Sequence, residues 1–143
     1  MNRRFRLATV ERLRQADVRR CTGDLGLARQ RLVAAEQAIA DLGTELAGCR
    51  PALTATPDQV LAAAQRREAL RERAEQLEVA AGAARAALAE ALAAWQRAQQ
   101  RLRAVVTLHE RHRAELAAQD ARREQRLTDE LAGALAARGG DQP

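Results

Sequence analysis

The chain has 143 residues, enough for one domain, yet holds one Phe, one Trp and no Tyr, which excludes a compact core built from bulky side chains. Ala, Leu, Arg, Gln and Glu dominate; these are strong helix formers, and the bias is the compositional mark of coiled coils and long helices. The formal charge is +5, every basic residue is Arg, and the excess sits in residues 1–20, where seven Arg face only Glu11 and Asp17.

The first predicted helix runs from about residue 5 to 47. Leu25, Ala28, Leu32, Ala35, Ile39, Leu42 and Leu46 alternate three- and four-residue steps, the seam of a heptad helix. Carried backwards, the seam reads Cys21, Val18, Arg14, Val10 and Leu7, with two successive four-residue steps at Arg14 that resemble a stutter. The N-terminal Arg cluster opposes the helix macrodipole, so helix stability does not explain its placement. A partner with an acidic surface does. Cys21 extends the seam as a small thiol. Cys49 lies about 42 Å away along a straight helix, too far for a bridge within the chain.

The break covers residues 48–56, where Pro51 removes a donor and disfavours helix at Arg50. Thr56 is then a natural N-cap, Pro57 fits the first helical position, and Gln59 completes a capping box beside Asp58. The second predicted helix runs from 57 to about 138, and a disordered tail is expected over 139–143. Its seam is Leu70, Ala74, Leu77, Ala81, Ala84, Leu88, Ala91, Trp95, Ala98, Leu102, Val105, His109, His112 and Leu116. Gly82 inside it costs roughly 1 kcal/mol relative to Ala and is a candidate soft point.

Two seams joined by one short break predict an all-α fold: a single domain over residues 1–143, a two-helix antiparallel coiled-coil hairpin with an overhanging C-terminal helix. At 1.5 Å per residue the helices differ in length, about 65 Å against about 120 Å. A turn centred near residue 52 sets Ile39 near Arg66–Arg67 and Val10 near Trp95, and leaves residues beyond about 102 without an intrachain partner. That stretch keeps a weak apolar stripe of Leu102, Val105, Leu116, Leu127, Leu131 and Leu135. An uncovered apolar stripe is a binding surface, for a partner or for a second copy.

Little in the chain carries chemistry. His109 and His112 share a helix face, but nothing on that face completes a metal-ligand set, so they read as a polar interruption of the seam. Phosphate loops, nucleophile elbows and Cys/His arrangements are lacking, and Glu11 and Glu115 read as ordinary helix-surface pairing. The chain therefore reads as no enzyme, with no cofactor and no metal. Balanced charge over most of the length and the absence of stacking aromatics argue against nucleic acid. The lack of an 18-residue apolar run or a secretory segment argues for a cytosolic protein without membrane insertion.

Four stretches in order carry a family resemblance: Phe5-Arg6-Leu7-Ala8-Thr9-Val10 with Leu13, Ala94-Trp95-Gln96, Thr107-Leu108-His109-Glu110-Arg111, and Arg122-Arg123-Glu124-Gln125-Arg126-Leu127-Thr128-Asp129-Glu130-Leu131-Ala132. Together they resemble the FliJ family of flagellar type III export proteins. The resemblance implies an antiparallel coiled-coil stalk whose end with both termini enters the ring of the flagellar export ATPase and promotes its activity. It further implies a loop-proximal end reaching the export gate membrane protein, contacts with export chaperones, and a place at the cytoplasmic face of the cell membrane, at the flagellar basal body. On that reading Arg4, Arg6, Arg12, Arg111, Arg113, Arg122, Arg123 and Arg126 line the ring-facing end, and Asp129 and Glu130 close the matched motif. Leu42 and Leu70 are the apolar residues on the gate side, although the seam also accounts for them. The chain lacks the aromatic residues that some relatives carry near the loop. Two other readings stay open: a coiled-coil adaptor or self-assembling dimer without an ATPase partner, and the stalk of an injectisome-type secretion system.

Overall fold

The computed structural model describes residues 3–139, and side chains over residues 7–138. Helix α1 spans Arg3–Gly48 and helix α2 spans Pro57–Gly139. Among the described residues there is no strand, and the fold is all-α. The tail expected from residue 139 lies, beyond Gly139 itself, outside the described residues. Contacts group the chain into two units, residues 15–99 and residues 1–14 with 100–143.

The unit of residues 15–99 is an antiparallel hairpin. The seam predicted for α1 is the face it turns inward: Ala28 and Leu42 are buried, and Leu25, Leu32, Ala35, Ile39 and Leu46 are half-buried. On α2, Leu70, Ala81 and Ala98 are buried, and Ala74, Leu77, Ala84, Leu88, Ala91 and Trp95 are half-buried. Ala81 has no exposed surface. A methyl at that point brings the two helix backbones close, which lets a seam alternating Leu with Ala close without bulky residues. Cross-helix polar contacts flank the seam: Arg66 Nη2 donates to Glu45 Oε1 at 2.8 Å, Arg85 Nη2 approaches Glu36 Oε1 at 3.9 Å, and Trp95 Nε1 donates to Thr22 Oγ1 at 3.2 Å. The Thr22 hydroxyl in turn donates to the Val18 carbonyl at 2.8 Å.

These pairs correct the expected register. Trp95 lies on Thr22, about three helical turns further along α1 than the Val10 expected there. About half of the shift is already present at the linker. Gly48, Cys49 and Arg50 share a shallow recess with Ala62, Ala63 and Arg66, so the end of α1 is level with the second and third turns of α2 instead of its first residue. The linker folds on itself through Ala55 N–H to Ala52 O at 3.0 Å, and its length is taken up beside the start of α2. The restart itself follows the sequence signal. Thr56 N–H donates to Gln59 Oε1 at 2.9 Å and Gln59 N–H donates to Thr56 Oγ1 at 3.3 Å, a reciprocal capping box. Helix α2 continues through Gly82, where an added Cβ meets nothing within 4 Å.

In the unit of residues 1–14 with 100–143, α1 packs on α2 along Leu7, Ala8, Glu11 and Arg14, which are half-buried. Val10 is exposed. The α1 seam therefore keeps its regular alternation through Arg14 and Glu11 to Leu7, and the stutter anticipated at Arg14 is absent. Glu11 takes the inward place because a polar partner faces it. Leu102, Val105, Val106, His109, His112 and Leu116 form the sheltered face of α2. Shelter thus extends to Leu116 and not merely to residue 102. From residue 117 to 138 every position is exposed.

Candidate partner-binding surface

Glu11 and His109 meet across the second unit. His109 Nδ1 and Glu11 Oε2 lie 2.7 Å apart, with side-chain exposures of 25% and 24%. A carboxylate oxygen only accepts, so Nδ1 carries the proton, in the neutral Nδ1–H tautomer or in the imidazolium. Glu11 is not the ordinary surface carboxylate of the sequence reading but a seam residue. The signal that could have found it was His109 itself: a polar residue at a seam position calls for a polar partner on the facing helix.

Beyond this pair, the unit presents the residues singled out as the ring-facing end. Arg12, Arg111, Arg113, Arg122, Arg123, Arg126, Asp129 and Glu130 are all exposed, and all belong to this one unit. Arg4 and Arg6 belong to it by position, but their side chains lie outside the described residues. Arg123 Nη1 approaches Asp120 Oδ1 at 3.8 Å, and Gln125 Nε2 donates to Asp129 Oδ1 at 3.0 Å. Both are exposed contacts within one helix and hold their side chains weakly. Between the charges, Leu127, Leu131 and Leu135 stand 60–70% exposed. Spaced four residues apart, they follow one another along a single inclined row of the helix surface. Arginine fork donors beside a bare leucine row suit a protein partner that supplies carboxylates and an apolar groove.

Leu42 and Leu70 have a different place. They are 5% and 7% exposed, members of the seam in the unit of residues 15–99. Their surface is spent on packing the hairpin, so they offer no face for a gate contact. The exposed apolar residues around the linker are Leu53, Val60 and Leu61, which the sequence reading did not single out. Nearby, the hydrogen bond that Arg66 donates to Glu45, with added attraction from Cys49 and Glu45, raises the pKa of Arg66.

The chemistry of the remaining groups is sparse. Both cysteines are free thiols. Among the described residues no three His, Cys, Asp or Glu side chains gather to hold a metal ion, and no helix is long and apolar enough to cross a membrane.

A two-helix seam that buries little beyond Leu and Ala, with one helix running bare past the other, defines a coiled-coil protein whose free surfaces are its chemistry. A family model described as the flagellar FliJ protein matches residues 3–141, nearly the whole chain. The chain belongs to the FliJ family and is a flagellar export-related protein. No curated protein and no solved structure gives a match.

Proposed function

We propose that this chain is the stalk that binds the flagellar export ATPase ring and promotes its activity, and that residues 117–138 with the Arg-rich start of α1 form the contact. The observation that carries the reading is the bare stretch of α2. It combines Arg122, Arg123 and Arg126 with Leu127, Leu131 and Leu135, all exposed and without a packing partner from α1 among the described residues. The export gate membrane protein and export chaperones are the further partners that this role carries, with the protein peripheral at the cytoplasmic face of the basal body. The linker end is the candidate side for the gate, through Leu53, Val60 and Leu61 in place of Leu42 and Leu70.

The test is the double charge reversal Arg122→Glu/Arg126→Glu. Stimulation of the purified export ATPase should fall, with the far-UV circular dichroism spectrum unchanged because both side chains are exposed. Unchanged stimulation refutes the proposed contact. Sedimentation of the unmodified chain separates the adaptor reading: a tight dimer dispersed by Leu131→Ala means that the leucine row is covered by a second copy and not by a ring.

A further inference from the structure

We infer that the start of α1, residues 7–14, is a displaceable strap over the α2 seam from Val105 to His112, and that lifting it joins this part of the seam, through Leu116, to the bare row Leu127, Leu131 and Leu135. Four observations support this. All five buried residues among those described, Ala28, Leu42, Leu70, Ala81 and Ala98, belong to the other unit, and the strap covers α2 without burying any described side chain. Two of the four half-buried strap residues, Glu11 and Arg14, are charged, and the apolar Val10 and Leu13 are exposed. The α1 helix has no acidic residue in its first turn, and the sequence there carries Arg3, Arg4 and Arg6, whose charge opposes the macrodipole. Finally, the short Glu11–His109 bond fastens the strap with two groups that are each about a quarter exposed. Water can solvate both when the strap lifts, so opening strands no buried polar group.

The uncovered surface combines Val105 and Val106 with His109 and His112 and is continuous along the helix with Leu116 and the exposed row. A partner that reads Leu127, Leu131 and Leu135 gains it. The strap then competes with the partner for the seam. The apparent affinity of the partner is reduced by the fraction of chains with the strap open. This last step rests on the proposed ATPase contact, whereas the opening itself does not.

Amide hydrogen exchange of the full-length chain, read by mass spectrometry, tests both. Residues 7–14 should exchange much faster than residues 27–42. Glu11→Ala should speed exchange in 7–14 by at least about fivefold, the factor expected for losing the hydrogen bond to His109, and leave 27–42 unchanged. Glu11→Gln keeps an acceptor for Nδ1–H and should restore most of the protection. Glu11→Leu/His109→Leu closes the seam with an apolar pair and should slow exchange below the parent. Equal protection of 7–14 and 27–42 overturns the inference, as does a Glu11→Ala chain that exchanges like its parent. With the export ATPase added, residues 117–138 should become protected, and Glu11→Ala should bind about fivefold tighter. A Glu11→Ala chain that binds with the parent's affinity overturns the competition. No protection of 117–138 overturns the ATPase contact and leaves the strap to be judged by the exchange of the free chain.

Discussion

Leu70→Ala and Leu131→Ala delete the same atoms from the same helix and should have opposite consequences. Leu70 is 7% exposed in the seam of the hairpin, and Leu131 is 66% exposed. Burying a leucine side chain fully contributes about 1.5–3 kcal/mol, and truncation in a core costs about 2–5 kcal/mol once the cavity is included. A seam between only two helices can relax from its open sides, which puts Leu70→Ala at the low end, about 2–3 kcal/mol. For a chain of this length that corresponds to a fall in Tm of roughly 6–10 °C. Leu131→Ala removes contacts with water alone and should stay within about 0.5 kcal/mol. Thermal melts followed by circular dichroism at 222 nm measure both. Stimulation of the export ATPase, assayed well below either Tm, should fall for Leu131→Ala and persist for Leu70→Ala. Equal destabilisation by the two substitutions would show that the end of α2 is packed against something in solution, and the free-surface reasoning would then fail. Insensitivity to Leu70→Ala would refute the hairpin seam itself.

Two further predictions bear on the hairpin. Thr22→Val removes the acceptor for the indole N–H of Trp95 and should cost about 1 kcal/mol; since Trp95 is the one Trp in the chain, its fluorescence reports the change directly. Gly82→Ala should raise stability by about 1 kcal/mol, because the helix continues through it and the added methyl meets nothing within 4 Å; a lower Tm would mean that the glycine serves a close approach.

The pattern of each helix was legible in the sequence because it is local. Heptad spacing needs only the fixed geometry of one helix, and every one of the fourteen α2 seam positions from Leu70 to Leu116 is sheltered. The Thr56–Gln59 capping box is likewise a matter of three residues and forms as its spacing predicts. The exposure of Arg122, Arg126 and the leucine row also followed, since α1 is too short to reach them.

Register and its consequences belonged to the tertiary structure. A heptad seam of Leu and Ala accepts slides between its two helices at little difference in packing, so nothing along either helix alone says which residue faces Trp95. The path of the linker decides part of it, by setting Gly48 level with Ala62 and Ala63, and the packing between the helices carries the rest, to Thr22 on Trp95. In the other unit, tertiary contact selects Glu11 over Val10 for the inward position, because the carboxylate there completes a hydrogen bond with His109. Shelter in that unit runs as far as Leu116, and so the sequence determined that α2 has a bare end while only the packed structure determined where that end begins.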